Sequence, residues 1–195
     1  AEKDFRGLVI GNDGANFSAG ANIGMIFMAA IEQEWDEINM AIRAFQNTSM
    51  RLRYSSIPVV VAPHNLTLGG SCEFSLHADH VQINAETYMG LVEFGVGLIP
   101  GGGGTKEFAL RVSDELKDGQ IDQNVLKDRF LTIAMAKVST SGAEAADLGY
   151  LKAGKYSITM NRSRLIADAK AKALELADAG YTQPVRRTDI KVLGK

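Results

Sequence analysis

The chain has 195 residues, 46% of them hydrophobic, and its 21 basic and 23 acidic side chains give a formal net charge of −2. This near balance of charge provides no electrostatic reason to expect binding to nucleic acid or to an anionic membrane surface. The single cysteine, Cys72, excludes an internal disulfide, and no apolar stretch reaches the length of a membrane span, so we expect a cytoplasmic protein.

The first third of the sequence predicts a strand and a long helix. GLVIG (7–11) is a short apolar run that ends in a turn cluster, and it predicts a buried strand. One helix is predicted from Ile23 to about Arg53, because a stripe of apolar residues recurs there at spacings of three and four opposite a polar face. That stripe comprises Ile31, Trp35, Ile38, Ile42 and Phe45.

The middle of the sequence continues the alternation of strand and helix. IPVVVAP (57–63) predicts a second buried strand, and GGSCEFSLHAD (69–79) predicts a short helix that starts at the glycines. HVQIN (80–84) reads as a strand, whereas TYMGLVEFGVGLIP (87–100) is strand-like at first and loop-like later. Buried strands separated by helices indicate a layered α/β domain.

Helices dominate the predicted remainder of the chain. They are expected at about 104–112, 122–138 and 161–179. Asn161 is a suitable N-cap for the last helix and Gly180 a suitable C-terminal stop. SDELKDGQIDQN (113–124) is expected to be a solvated surface insertion, and TQPVRRTDIKVLGK (182–195) a loose tail.

Glycines and other small residues stand at two predicted helix starts. Gly69 and Gly70 precede the short helix, and Gly20 and Ala21 precede the long one. A helix N-terminus presents unpaired N–H groups, and glycine lets a ligand oxygen approach them closely. One N–H from each segment would form a two-donor oxyanion hole. Small residues at such turns are more often plain turn chemistry.

Two acidic residues lie beside these glycine-rich segments in unlike settings. Glu73 falls in the first turn of the short helix, where the helix dipole favours its charged form. Glu93 lies in an apolar run, which would raise its pKa. Carboxyl groups in unlike environments commonly supply the acid and the base of one site. Alternatively, Glu73 caps a helix and Glu93 pairs with a surface cation.

Three ordered blocks of the sequence resemble the crotonase (enoyl-CoA hydratase/isomerase) superfamily. FSAGANI (17–23) resembles the first oxyanion segment of that family, IPVVVAPHNLTLGGSCEFSLHAD (57–79) its second, and YMGLVEFGVGLIPGGGGTKE (88–107) its segment around the second acid. The resemblance is strong over about residues 6–112 and weaker over AADLGYL (145–151) and the helix that follows. It implies an α/β fold with the ββα spiral core of the crotonases and a C-terminal helical region.

The resemblance also implies a reaction and the residues that carry it. It places the backbone N–H groups of Ala21 and Gly70 on the thioester oxygen of an acyl-CoA, and it makes Glu73 and Glu93 the two catalytic acids, without assigning which is acid and which is base. Their separation, 93 − 73 = 20 residues, matches the family's hydratases. These enzymes add water to a trans-2-enoyl-CoA in fatty acid β-oxidation. The implied partner is an acyl-CoA substrate, with no metal and no redox cofactor, and the implied assembly is a homo-oligomer, a trimer or a hexamer.

The sequence departs from the family pattern in three places. Asn22 stands where an aspartate is usual, and 113–124 is an unusual insertion. The first strand corresponds to the middle of the family's first β/α portion, so an N-terminal strand pair and helix are expected to be missing. We expect 1–112 to be the crotonase core and 113–195 the insertion and C-terminal helical region of the same domain. EQEWDE and MRLRYSSIP are most similar to fused proteins, in which an NAD-dependent 3-hydroxyacyl-CoA dehydrogenase domain would lie outside these residues.

Two other functions remain open at this stage. An enoyl-CoA isomerase needs only one base, so the presence of both Glu73 and Glu93 favours a hydratase. A non-catalytic acyl-CoA-binding or scaffold domain of a multifunctional protein is the alternative from another class.

Other conspicuous residues have simpler interpretations. The glycine run 101–104 lacks the GK[ST] ending of a phosphate loop, so we expect it to let the next helix start close to Glu93. His77 lies one turn after Glu73 and is expected at the surface, whereas Cys72 is expected to be buried. The histidines form no metal-ligand spacing with Cys72. Residues such as Met25 either line an acyl tunnel or pack in the core.

Overall fold

The computed structural model describes residues 4–116 and 123–191, in which six strands form two sheets. The strands are β1 (Leu8–Ile10), β2 (Val59–Val61), β3 (Asn65–Leu68), β4 (His80–Asn84), β5 (Thr87–Gly90) and β6 (Tyr156–Thr159). The larger sheet has the order β1-β2-β4-β6, and the smaller sheet pairs β3 with β5. All of these pairings are parallel, as expected where helices connect the strands.

Seven helices connect or follow the described strands. They are α1 (Ile23–Ile31), α2 (Trp35–Arg53), α3 (Gly70–His77), α4 (Gly104–Glu115), α5 (Gln123–Ala134), α6 (Gly142–Asp147) and α7 (Leu165–Asp178). Short 3₁₀ helices occupy Glu93–Val96 and Arg162–Arg164. None of the helices in the described ranges has both the length and the apolar composition needed to cross a bilayer.

The larger sheet separates two hydrophobic clusters, because successive side chains of a strand point to opposite faces. Val81 and Ile83 of β4 enter the first cluster, whereas Val60 of β2, which is in register with His80, enters the second. The first cluster contains Cys72, Leu76, Val81, Ile83, Met89, Leu91, Phe108, Ala145, Tyr150 and Leu151. The second contains Val60, Ala62, Leu165, Ala169 and Ala173, so α7 covers one face and α3 the other.

The single long helix predicted from Ile23 to about Arg53 is two helices, α1 and α2. The chain turns between them at Gln33, whose φ of 60° lies in the left-handed region. The predicted apolar stripe also lies largely at the surface: Ile31 is 58% exposed and Trp35 is 60% exposed. Periodicity therefore identified an apolar stripe here without identifying what it packs against.

The remaining predicted elements agree with the structure in part. The strands within 57–63 and 80–84 and the short helix at the glycines are confirmed, although β1 is only partly buried. The last predicted helix begins later than Asn161, which instead caps the 3₁₀ helix before α7, while Gly180 follows α7 with a φ of 79°. The elements β3, β6 and α6 were not predicted.

The predicted surface insertion at 113–124 is partly wrong. Ser113, Asp114 and Glu115 form the last turn of α4, with Ser113 buried, while residues 117–122 lie outside the described part of the chain. The tail has no regular structure over 182–191, but the Lys191 amide donates to Ser113 Oγ at 2.8 Å. Residues 192–195 also lie outside the described part.

Candidate active site

The two small-residue turns predicted from the sequence lie side by side at the end of the smaller sheet. The chain at Ser18 forms a parallel bridge to β3. The Ser18 N–H donates to the Leu66 carbonyl at 2.9 Å, and the Ser18 carbonyl accepts the Leu68 N–H at 3.0 Å. Immediately beyond these bonds, the chain turns at Gly20 (φ 98°) and at Gly69 (φ 57°). Both values lie in the region that glycine adopts without steric cost.

The two backbones also lie close together, most tightly at Gly20. A Cβ atom at Gly20 would lie 3.3 Å from the Leu68 carbonyl oxygen, and one at Gly69 would lie 3.8 Å from the Gly20 Cα. The next residues are Ala21, one residue before the N-cap of α1, and Gly70, the first residue of α3. Within residues 4–116 and 123–191, neither of their amides donates to a protein acceptor. The structure therefore brings together the two segments that carry the predicted oxyanion amides.

Glu73 is buried on α3, with 3% of the residue exposed, and its carboxyl group faces the glycine loop Gly101–Gly104. The Gly104 N–H, at the start of α4, donates to Glu73 Oε1 at 2.8 Å. Burial raises the pKa of Glu73 above its ordinary value, while hydrogen bonds from the amides of Gly104, Gly102 and Gly103 partly oppose that rise. From the sequence we expected the helix dipole to favour the charged form of Glu73. That expectation is incomplete, because burial has the larger effect and raises the pKa.

The glycine loop lies beside Glu73. A Cβ atom at Gly102 would overlap both Glu73 Oε2 and the ring of Phe45, so only glycine fits there. The loop thus uses its free N–H groups and the N-terminus of α4 to hold a carboxyl group of its own chain. Those amides are occupied, which argues against a phosphate at the same place.

Glu93 approaches the same turn from the 3₁₀ helix Glu93–Val96. A Cβ atom at Gly69 would lie 3.3 Å from Glu93 Oε1, so this oxygen lies against the turn that precedes Gly70. The other oxygen, Oε2, is buried without a hydrogen-bond partner in the described part of the chain. Burial, together with a smaller contribution from the nearby charge of Glu73, raises the pKa of Glu93 to about 7. Its apolar setting was correctly predicted.

The two carboxyl groups therefore differ in a chemically useful way. The upward shift that burial gives the pKa of Glu73 is partly offset by hydrogen bonds from the loop N–H groups, whereas Glu93 has an unpartnered oxygen and a pKa of about 7. Glu93 Oε1 lies against the Gly69 turn that precedes Gly70, and Glu73 lies three residues after Gly70 on α3. A group that accepts a proton, a group that donates one and two free N–H groups are what acid–base chemistry on a polarised carbonyl compound requires.

His77 is buried at the end of α3, so the prediction of a surface histidine was wrong. Its Nδ1 lies 2.6 Å from the Glu73 carbonyl oxygen and its Nε2 lies 2.9 Å from Lys106 Nζ. Burial lowers its pKa to about 4, so it is neutral at pH 7. A proton on Nδ1 then donates to the Glu73 carbonyl, and Nε2 accepts from the lysine. His77 supports the backbone of Glu73 without contacting its carboxyl group.

A buried ion-pair network that the sequence did not reveal surrounds His77. Glu107 of α4 is 1% exposed, pairs with Arg53 of α2, and accepts from Lys106 Nζ at 2.6 Å. Burial alone would raise the pKa of Glu107, but the charges of Arg53, His77 and Lys106 hold it below its ordinary value. The network ties α2, α3 and α4 together beneath the site. Arg53 and Glu107 are 54 residues apart along the chain, so no local sequence pattern revealed their pairing.

The other singled-out residues do not enter the site chemistry. Cys72 is fully buried, as predicted, and burial raises the pKa of its thiol. Asn22 accepts the Met25 N–H at 3.3 Å as the N-cap of α1, so it performs the capping that an aspartate would also provide. Met25 is 70% exposed and is not part of the core. In the described ranges, no three His, Cys, Asp or Glu side chains are grouped as a metal site.

Comparison with known proteins identifies relatives of this chain. The family model described as enoyl-CoA hydratase/isomerase matches residues 1–117. A Bacillus subtilis (strain 168) protein named "Probable 3-hydroxyacyl-CoA dehydrogenase" is 46% identical over 194 residues, which are 100% of this chain and 24% of that protein. The chain thus spans about a quarter of the length of this curated relative.

Solved structures share the fold. An enoyl-CoA hydratase from Polaromonas sp. JS666 matches with a TM-score of 0.69 at 20% identity, over 89% of this chain and 60% of that one. A chain from Thermobifida fusca YX, determined in complex with CoA, matches with a TM-score of 0.65 at 20% identity, over 89% of this chain and 64% of that one. The α/β fold of the crotonases, predicted from the sequence, is confirmed.

Proposed function

The chain belongs to the enoyl-CoA hydratase/isomerase family, and from this premise we propose that it adds water to the double bond of a trans-2-enoyl-CoA. The observation that carries the proposal is that the Gly70 amide follows a turn contacted by one carboxyl group and starts the helix that carries a second carboxyl group in an unlike environment. Glu93 Oε1 lies against Gly69, while Glu73, three residues after Gly70 on the same helix, is held by the Gly104 N–H.

The oxyanion hole is proposed to be formed by the N–H groups of Ala21 and Gly70. As a hydroxyl group adds to C3, electron density moves through the conjugated system onto the thioester oxygen and gives an enolate. Two preset donors stabilise that charge without having to reorganise, and each is worth roughly a hundred- to a thousandfold in rate. The absence of a protein acceptor for either amide within the described residues leaves both available for this role.

The two acids are proposed to have separate roles. Glu73, whose ionised form is favoured by the loop amides, accepts a proton from water, and the water oxygen forms a bond to C3. Glu93, with a pKa of about 7, is protonated in a large fraction of molecules near neutral pH and donates its proton to C2 of the enolate. Transfer of a proton from Glu73 back to Glu93, through water, restores the starting state. No metal or redox step is needed for this addition.

The proposed role within the parent protein follows from the product. Hydration yields a 3-hydroxyacyl-CoA, and the relative from Bacillus subtilis is named as a 3-hydroxyacyl-CoA dehydrogenase. We propose that the site acts in fatty acid β-oxidation and that any NAD-dependent oxidation is carried out by residues outside this chain. Division into a core over 1–112 and a helical region over 113–195, and assembly into a trimer or hexamer, remain predictions.

Loss of enoyl thioester absorbance with crotonyl-CoA tests the proposal in the full-length protein. Turnover that is lost in both Glu73→Gln and Glu93→Gln is expected for a hydratase. An isomerase is the second candidate, because Glu93 has a pKa of about 7 and an unpartnered carboxyl oxygen, which are what a single proton shuttle requires. Isomerisation of a 3-enoyl-CoA that persists in Glu73→Gln would favour this candidate, and binding of acyl-CoA without any turnover would favour a scaffold.

A further inference from the structure

The aromatic ring of Phe45, on α2, lies between the turn at Gly70 and the glycine loop Gly101–Gly104. A Cβ atom at Gly70 would lie 2.9 Å from Phe45 Cζ, and a Cβ atom at Gly102 would overlap Cε1 of the same ring. One side of the ring thus contacts the turn with the oxyanion amide, and another contacts the loop that holds Glu73. The lack of side chains at both glycines is what admits the ring.

The ring is itself held by the residue that follows Glu73. Phe45 and Phe74 are stacked, with ring centroids 4.5 Å apart and an interplanar angle of 12°. A stacked aromatic pair contributes more than the apolar area that it buries. The position of the Phe45 ring is therefore coupled to the helix that carries both Gly70 and Glu73.

Gln46, the next residue of α2, contacts the loop directly. Its Nε2 donates to the Gly101 carbonyl at 2.7 Å. Gly101 immediately precedes the three glycines whose amides act on the Glu73 carboxyl group. The loop is consequently fixed at Gly101 by a hydrogen bond and at Gly102 by the packing of Phe45.

We propose that Phe45 and Gln46 are positioning residues for the reaction at Glu73, because they hold the Gly101–Gly104 loop in the conformation that directs its N–H groups at the carboxylate. This role rests on the proposed hydratase function. Neither side chain touches the substrate in this account; both act through the loop, and Phe45 also acts through the turn at Gly70.

The expected consequence of loosening the loop is a change in the protonation of Glu73. Its loop amides favour the charged form, so their loss would raise the pKa of the carboxyl group. The titratable groups that face this carboxyl group are Glu93 from the 3₁₀ helix and the Cys72 thiol from α3. His77 contacts Glu73 at its backbone carbonyl and not at its carboxyl group. A loss of fixed geometry would also slow the chemical step more than it weakens binding.

The test compares Gln46→Ala with Asn47→Ala in the full-length protein. Both residues are exposed on α2, but Asn47 makes no hydrogen bond to the loop in the described part of the chain. For Gln46→Ala we expect kcat for crotonyl-CoA hydration to fall roughly two- to tenfold, the range covered by one ordinary hydrogen bond, with KM nearly unchanged. The acidic limb of the kcat/KM profile should move to higher pH, and Gln46→Lys, which restores a donor, should reverse part of both effects. Asn47→Ala should behave like the unsubstituted protein.

Hydrogen exchange gives a second measurement that does not depend on turnover. The Gly104 amide, protected by Glu73 Oε1, should exchange faster in Gln46→Ala and in Phe45→Leu than in Asn47→Ala. An acidic limb and an exchange rate that are unchanged in Gln46→Ala would overturn the positioning role. Equal losses in Gln46→Ala and Gln46→Lys without any pH shift would also overturn it, because they would indicate a structural effect alone.

Failure of this inference is distinguishable from failure of the proposed function. Normal hydration by both the unsubstituted protein and Gln46→Ala would remove the positioning role and leave the hydratase proposal intact. Absence of hydration in the unsubstituted protein would remove the proposed function, and the positioning role with it.

Discussion

Gly104 donates its backbone N–H to Glu73 Oε1 at 2.8 Å, so the first residue of α4 contacts a carboxyl group that α3 carries. This bond joins residues 31 positions apart and explains why a glycine-rich loop accompanies an acidic residue. The glycines remove every side chain that would separate the amides from the carboxylate, and Glu93 Oε1 lies against a different turn, at Gly69.

Substitution of Glu73 by glutamine removes the proposed base while keeping the shape of the side chain. We expect kcat for crotonyl-CoA hydration to fall about 10²- to 10⁴-fold, the usual contribution of a positioned acid or base. The measurement is steady-state hydration, with urea unfolding as a control for folding. Hydration within twofold of the unsubstituted protein would exclude Glu73 as a catalytic residue.

The pH dependence of hydration should reflect Glu93. Because its pKa is about 7 and its protonated form is the proposed donor, kcat/KM should decrease as the pH rises through about 7. In Glu93→Gln this alkaline limb should disappear along with most of the activity. If the residual activity of Glu93→Gln keeps an alkaline limb at the same pH, that limb must be assigned to another group.

Glu93 should also affect stability with a definite sign. Its pKa in the folded protein, about 7, is above the ordinary value of 4.5, so its contribution to stability is present at low pH and is lost as the pH rises through about 7. Relative to the unsubstituted protein, Glu93→Gln should therefore become more stable between pH 4.5 and 7, as measured by urea unfolding. A stability difference that stays constant across this range would contradict the burial of an ionisable Glu93.

Gly102→Ala tests the close packing of the glycine loop. The added methyl group would overlap Glu73 Oε2 and the Phe45 ring, so we expect a loss of about 1–3 kcal/mol in the free energy of unfolding together with a loss of hydration. Gly101→Ala is the matched control, because its Cβ atom would meet only the Ile99 carbonyl oxygen at 3.7 Å. Equal behaviour of the two variants would show that the loop is not closely packed against Glu73.

Acid should destabilise the fold through its buried histidines. Burial lowers the pKa of His77 from 6.5 to about 4, so its neutral form contributes stability that is present above pH 6.5 and is lost as the pH falls toward 4. His80, with a pKa lowered to about 4, acts in the same direction. In His77→Asn, the loss of stability between pH 6.5 and 4 should be smaller. An unchanged loss would mean that His77 is protonated without cost.

Local sequence patterns predicted the parts of the fold that local physics determines. Three consecutive apolar residues, Val59–Val61, form β2, and the glycines at 69 and 70 start α3 as expected. The break at Gln33 was missed because neither glycine nor proline marks it. The strand Asn65–Leu68 was missed because it is four residues long and contains Asn65 at a positive φ.

The candidate site was predictable to the extent that its residues lie in recognisable segments. The sequence proposed Ala21, Gly70, Glu73 and Glu93, whose roles stay predictions, and the structure brings the turns at Gly20 and Gly69 and the Glu93 carboxyl group together. The sequence did not predict the contact between Gly104 and Glu73, because that contact depends on how α3 packs against α4. Sequence pattern alone also missed the burial of His77, since its partners Lys106 and Glu107 come from that same packing.

The decisive measurement is a crystal structure of the full-length protein with a 3-ketoacyl-CoA, whose enolate form places negative charge on the thioester oxygen. It tests whether the two amides and the two carboxyl groups meet around one thioester. We expect this oxygen to lie about 2.7–3.1 Å from the amide nitrogens of both Ala21 and Gly70. We also expect C2 and C3 to lie between the carboxyl groups of Glu73 and Glu93. A thioester oxygen bound away from these amides, or acyl carbons that neither carboxyl group reaches, would contradict the two-acid site.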